Sequence, residues 1–255
     1  MLFTHNLDPV ALDLGFWQIH WYGLAYVAAG IFTLVWLNYL QKQGKLKLTQ
    51  PELADLEFWL FFGILVGGRV GYFLFYNFAD FFSLAILRIW EGGMSFHGGL
   101  LGAILAILIF ARRYRKTFLT LTDYLVFPIT VGLILGRLAN FINGELPGRV
   151  TGQNFGVVFP HFDAEPRHPS QLYAAAKNLG IASGIFWLQR QNPVPGVLSF
   201  CFLIFYSLLR IIMEIFWRAP LDGFILGLPR GAFFSIPVLL CGIGGLLWLK
   251  FVKKN

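Results

Sequence analysis

Residues Gly136 to Gly148 read GRLANFINGELPG. The stretch begins inside an apolar helical pattern that starts at Tyr124, and it ends in a Pro-Gly turn. Arg137, Asn140 and Glu145 therefore sit where hydrocarbon or its boundary is expected. An arginine near the centre of a bilayer costs about 2.5–3.5 kcal/mol on insertion scales. That offsets roughly five to ten leucines at about 0.3–0.6 kcal/mol each. A chain that keeps a charge there uses it.

The rest of the chain is the solvent for that stretch. Of 255 residues, 57% are apolar and 13% charged, which is too apolar for a soluble globule. Apolar runs of about 18 residues or more recur along the whole length, which predicts membrane spans and leaves no room for a sizeable soluble domain. The pattern predicts an all-α, polytopic membrane protein with about seven spans, at about 16–40, 56–77, 95–111, 122–142, 169–189, 197–217 and 232–250, forming a single transmembrane domain over 1–255. Pro128 marks a kink in the fourth span. The first fifteen residues carry no Lys or Arg, so the first span is expected to be retained and not cleaved as a signal peptide. Cys201 and Cys241 lie inside apolar runs and give neither a disulfide framework nor a metal spacing.

The net charge of +7 raises nucleic acid as a partner, but its distribution argues for topology instead. Eleven of the twenty basic residues fall in four places: Lys42/Lys45/Lys47, Arg112/Arg113/Arg115/Lys116, Arg190 and Lys250/Lys253/Lys254. These follow spans one, three, five and seven. The opposite side holds five, Arg88, Arg149, Arg167, Arg218 and Arg230. The asymmetry places the N-terminus outside and the C-terminus in the cytoplasm. Trp17, Trp21 and Tyr22 fit an interfacial aromatic belt.

Depth then joins scattered polar residues into one layer. At a rise of 1.5 Å per residue, Tyr22, Arg69, Arg137 and Arg210 each fall roughly 8–12 Å below the outer boundary, with His97 nearer the surface. Glu214, four residues after Arg210, can pair with it locally, and Glu145 can balance a second arginine. The glycines around Arg69, in GGRVGY, are explained by close helix packing, but Arg69 itself is not. The residual positive layer wants an anion, and arginine suits phosphate through paired hydrogen bonds. His97 adds a group that takes a proton near neutral pH. The inner half is poor in ionisable groups, with Asp123 and Lys177 the main exceptions. On residues alone three classes stay open: an enzyme acting on a lipid, a transporter or anion channel with access from both faces, and a lipid-binding scaffold.

Six segments also carry a resemblance. HWYG (His20 to Gly23), GGRVGY (Gly67 to Tyr72), MSFHGGL (Met94 to Leu100), GRLANFINGE (Gly136 to Glu145), RHPSQLY (Arg167 to Tyr173) and RIIMEIF (Arg210 to Phe216) stand in this order. With them the chain resembles the prolipoprotein diacylglyceryl transferases of bacterial membranes over essentially its full length. The resemblance implies transfer of the sn-1,2-diacylglyceryl group of phosphatidylglycerol to the lipobox cysteine of a prolipoprotein, releasing glycerol phosphate. It implies no cofactor, no metal and no nucleic acid, and a place in the bacterial inner membrane with the site toward the outer leaflet. Carried over by position, Arg137 and Arg210 contact phosphatidylglycerol, His97 is the base for the incoming thiol, and Tyr22, Asn140, Glu145 and Gly148 support the site. Arg69 and Glu214 join them as substrate-binding positions. Ala139 replaces an expected glycine. Trp217 stands where relatives often carry an arginine, and the next one, Arg218, lies about 100° further round an ideal helix, which weakens any role carried over to it.

Overall fold

The computed structural model describes residues 2–16, 18–88, 92–221 and 223–252. The belt position Trp17 and the tail positions Lys253 and Lys254 lie outside them. Of the described residues 66% are helical. Its helices are α1 (Trp21–Lys42), α2 (Gln50–Tyr76), α3 (Phe96–Arg113), α4 (Phe118–Ile142), α5 (Ser170–Gln189), α6 (Val197–Phe216) and α7 (Arg230–Val252). Among the described residues five of them, α1, α2, α4, α6 and α7, are long and apolar enough to cross a membrane. Only 11% of the α1 span is buried inside the fold, so its apolar side chains face outward as they do in lipid. This is a membrane protein. Helix α4 continues through Pro128 to Ile142.

The fold is predominantly α-helical, and among the described residues seven short strands accompany the helices: β1 (Leu2–Thr4), β2 (Val10–Asp13), β3 (Gln18–His20), β4 (Gly156–Val158), β5 (Pro166–Arg167), β6 (Phe224–Ile225) and β7 (Leu228–Pro229). They form one sheet in the order β1-β4-β5 and two hairpin-like pairs, β2-β3 and β6-β7. Strand β1 runs parallel to β4, and β5 antiparallel to it. Segments this short carry too few alternations to stand out from loop sequence.

The chain forms two compact units, Leu34–Tyr124, and Met1–Thr33 together with Leu125–Asn255. In the first, Thr49 and Glu52 make a reciprocal cap that starts α2, with Thr49 N–H donating to Glu52 Oε2 at 2.7 Å. Gly63, Gly67 and Gly71, one per turn of α2, meet Gly98 and Gly102 of α3. A Cβ on Gly67 would strike the carbonyl oxygen of Gly98, and one on Gly71 would lie 2.7 Å from the Gly98 Cα. Backbones this close favour packing where lipid offers no hydrophobic drive between helices. Ser95 ties the start of α3 to α2: its N–H donates to Gly68 O at 2.9 Å, and its hydroxyl accepts from Gly98 N at 3.2 Å. His97 lies exposed in that first turn. In the second unit Val126 of α4, Ile181 and Ile185 of α5 and Leu198 of α6 pack into one core, flanked by Phe127, Phe202 and Tyr206.

Candidate active site

Helix α4 delivers Arg137 one turn before its end and Asn140 three residues later, so both point from neighbouring turns. Arg137 Nη1 donates to Asn140 Oδ1 at 3.3 Å, and Asn140 Nδ2 donates to Glu145 Oε2 at 2.9 Å. Glu145 thus balances Arg137 through an amide and not by direct contact. The turn that brings Glu145 back uses Gly144 and Leu146, both at positive φ, and Glu145 N–H donates to Asn140 O at 2.9 Å. Two side chains at the start of α5 pin it. Gln171 Nε2 donates to Glu145 O at 2.6 Å, and Ser170 Oγ donates to Leu146 O at 3.0 Å.

Gly148 closes the turn where three backbones meet. Its N–H donates to His168 O at 2.9 Å, and it forms a β-bridge with Arg218. A Cβ there would collide with His168 O and stand 2.6 Å from Trp217 O, so only glycine fits. The strand segment beyond is held by Arg167, whose guanidinium pairs with Asp163 and donates to Gly148 O at 2.9 Å. That guanidinium holds the Asp163 carboxyl below the usual carboxylate range, while burial pushes the His168 imidazole down. On the other side of the turn, His5 is buried, donates from Nε2 to Phe141 O at 2.6 Å and packs its ring 5.2 Å from that of Phe159.

Helix α6 presents Arg210 and Glu214 on one face. Arg210 Nε lies 3.7 Å from Glu214 Oε1, and Arg210 Nη1 donates to Tyr206 OH at a long 3.5 Å. Arg218 is closer to the same carboxylate, donating from Nη1 to Glu214 Oε1 at 2.9 Å. Arg218 stands four residues after Glu214, the spacing at which side chains meet, and its N–H donates to Met213 O at 2.9 Å just past the end of α6.

Arg137, Tyr206, Arg210, Glu214 and Arg218 line one open crevice, together with Ser170, Gln171, Lys177 and Asn178 of α5. Lys177 therefore does not belong to an inner half. It is eight residues into α5, roughly 12 Å from the helix start, which puts it beside Arg137 and Arg210. Its Nζ rests 4.2 Å from the Tyr206 ring centroid. Arg137, Arg210, Arg218 and Lys177 face a single lining carboxylate, Glu214. Among the described residues Arg137 spends one hydrogen bond on the protein and Arg210 only long contacts, which leaves most of their N–H directions for an anion.

Arg69 is the contrast. Nε donates to Ile86 O, Nη1 to Gly92 O and Gly93 O, and Nη2 to Ala85 O and Arg88 O. All five donors of this buried guanidinium are taken by backbone carbonyls, so it staples the segment after α2 and has none left for phosphate. Tyr22, on α1, accepts from Tyr26 OH at 3.3 Å. Tyr22, Arg137, Asn140, Glu145, Gly148, Arg210 and Glu214 belong to one compact unit, Arg69 and His97 to the other.

A crevice lined by arginines in a membrane fold suits an anionic group. Residues 9–248 match the family described as prolipoprotein diacylglyceryl transferase. The chain belongs to this family. A phosphatidylglycerol–prolipoprotein diacylglyceryl transferase of Legionella pneumophila (strain Lens) is 43% identical, with 100% of both chains covered. Proteins of the same name from Rickettsia felis and Pseudoalteromonas atlantica are 42% and 41% identical, covering 93% and 98% of this chain and 95% and 91% of their own. Within this family member, sequence reasoning missed Lys177, Tyr206, Arg218 and Asn178 as parts of the site. A signal existed for the α5 residues: Gln171 and Asn178 are seven apart and share a helix face, in the span with the least apolar sequence.

Proposed function

We propose that this chain transfers the sn-1,2-diacylglyceryl group from phosphatidylglycerol to the lipobox cysteine of a prolipoprotein, forming a thioether and releasing glycerol phosphate. The observation that carries the reading is the pair Arg137 and Arg210, half-buried in one crevice with most of their donors unspent. The thiol loses its proton to a base, for which His97 is the candidate. Sulfur then bonds the sn-3 carbon of the glyceryl group as the carbon–oxygen bond to phosphate breaks. The electron pair goes to that phosphate oxygen, and glycerol phosphate leaves as a monoester. Arginines at the phosphate stabilise the charge that grows there. Asn140 and Glu145 orient Arg137, Glu214 orients Arg210 and Arg218, and Gly148 lets the turn close. Tyr22 remains a candidate substrate contact. Arg69 organises the loop after α2.

Purified protein with phosphatidylglycerol and a lipobox peptide should yield a diacylglyceryl thioether adduct detectable by mass spectrometry, with no gradient and no cofactor added. Absence of the adduct, or lipid movement across sealed vesicles without it, would overturn this reading.

The chain is a multi-pass membrane protein, and the proposal places it in the bacterial cytoplasmic membrane with seven spans, the N-terminus outside and the crevice in the outer leaflet. The basic clusters after α1, α3, α5 and α7 support that orientation. In a background lacking Cys201 and Cys241, Gln153→Cys should react with a membrane-impermeant thiol reagent in intact cells and Lys45→Cys should not. Labelling at position 45 from outside would reverse the topology.

A further inference from the structure

The α5 wall of the crevice carries a feature that phosphate alone does not explain. Asn178 is 1% exposed and Gln171 is 2% exposed, and both line the crevice. Gln171 Nε2 is committed to Glu145 O, which fixes the amide and leaves its Oε1 buried with no partner. Asn178 Oδ1 is likewise buried and unpartnered. Buried acceptors left empty are costly, so such atoms mark places where a donor is expected. Every other charged lining group but Glu214 is a cation, and none of those can accept.

A ligand for this crevice must therefore combine an anionic centre with neutral hydrogen-bond donors. A bare phosphate supplies the charge but not the donors. A zwitterionic headgroup supplies donors on an ammonium, which Lys177, Arg137 and Arg210 repel. A phosphate bearing glycerol hydroxyls supplies both. Helix geometry suits the division: Gln171 and Asn178 lie on one face two turns apart, with Lys177 adjoining Asn178.

We propose that Gln171 and Asn178 select the headgroup, their open carbonyl oxygens accepting from glycerol hydroxyls, while Lys177 excludes cationic headgroups. This rests on the diacylglyceryl transfer reading for its substrate, but binding tests it separately. The glycerophosphate chemistry is shared by the phosphatidylglycerol headgroup and by free glycerol phosphate, and each has its own arm of the test.

In detergent, sn-glycerol 1-phosphate should raise the melting temperature of the wild type more than equal inorganic phosphate does. Asn178→Leu, which keeps the volume and removes the acceptor, should lose that extra shift and keep the response to inorganic phosphate. The phosphate response also reports that the variant is folded; if it is lost, Asn178→Ala takes its place in the same comparison. In the transfer assay Asn178→Leu should lower kcat/KM for phosphatidylglycerol about tenfold, the cost of losing one hydrogen bond to a headgroup hydroxyl. Lys177→Met should let phosphatidylethanolamine compete for the site where it does not in the wild type. A wild type without the glycerol phosphate preference, or a folded variant that keeps it, overturns the proposal. A preference seen with free glycerol phosphate but unchanged kcat/KM for the lipid removes the headgroup and overturns it too. A wild type that shows the preference yet makes no adduct leaves the selecting wall standing and sinks the transfer reading instead.

Discussion

Arg137→Ala should lower the transfer rate by about 10²–10³, the usual loss when a group that stabilises developing charge is removed. The expectation comes from how little of Arg137 the protein uses: one hydrogen bond of 3.3 Å to Asn140, itself held by Glu145. The rest of the guanidinium faces a crevice with four cations and one carboxylate. Such a group is positioned and not neutralised, which describes a ligand for an anion better than a structural ion pair. Stability separates the two roles. Removing one of four crowded cations relieves repulsion, so the melting temperature of Arg137→Ala should hold or rise. A fall of several degrees together with retained activity would mean that Arg137 braces α4 and does not serve the reaction. Arg137→Lys should recover little, because an ammonium keeps the charge but not the planar fork. Arg210 gives the sharper control. Near-normal kcat/KM in Arg210→Lys would reduce its part to supplying field beside Glu214.

The helical membrane fold was legible in the sequence because hydrophobic runs and basic clusters report it over tens of residues. Most helix ends fall within a few residues of the expected spans; α2 begins six residues earlier, at Gln50, where Thr49 caps it, and α1 begins five later, at Trp21. Arg137, Asn140, Glu145, Arg210 and Glu214 were legible because charge inside an apolar run is costly enough to flag itself. What stayed hidden depends on contacts between distant segments. Arg69 carried the same flag, yet its donors go to backbone carbonyls that no pattern marks. Arg218 was discounted by its angle from position 217, yet it stands four residues after Glu214 and reaches that carboxylate, a pairing the sequence spacing allowed. Lys177 was assigned to the inner half, although counting from the start of its own helix places it in the arginine layer. His5 and the β1-β4 pairing brace the Glu145 turn through residues more than a hundred positions away, beyond any local signal.

His97→Asn should reduce transfer by about 10²–10⁴, the worth of a general base, while keeping much of the local hydrogen bonding. The start of α3 presents His97 as an exposed side chain on a firmly held turn. Ser95 caps the helix and ties it to Gly68, and Gly98 and Gly102 hold α3 against α2, so the first turn that carries His97 is fixed from two sides. Gly98 and Gly99, following the ring in sequence, add no side-chain bulk of their own. The pH profile decides what the residue does. A base is needed because the thiol is mostly protonated at neutral pH, and the need fades as pH approaches the thiol's own pKa of about 8.5. The rate of His97→Asn should therefore climb with pH toward that value, and its ratio to wild type should recover in part. A His97 that only braces α3 predicts the opposite pair of results, a lower melting temperature and a rate deficit that does not change with pH. Normal rate and normal pH dependence in the variant would take His97 out of the mechanism. Proton removal would then fall to Tyr22, Glu145, water or the field of the crevice arginines.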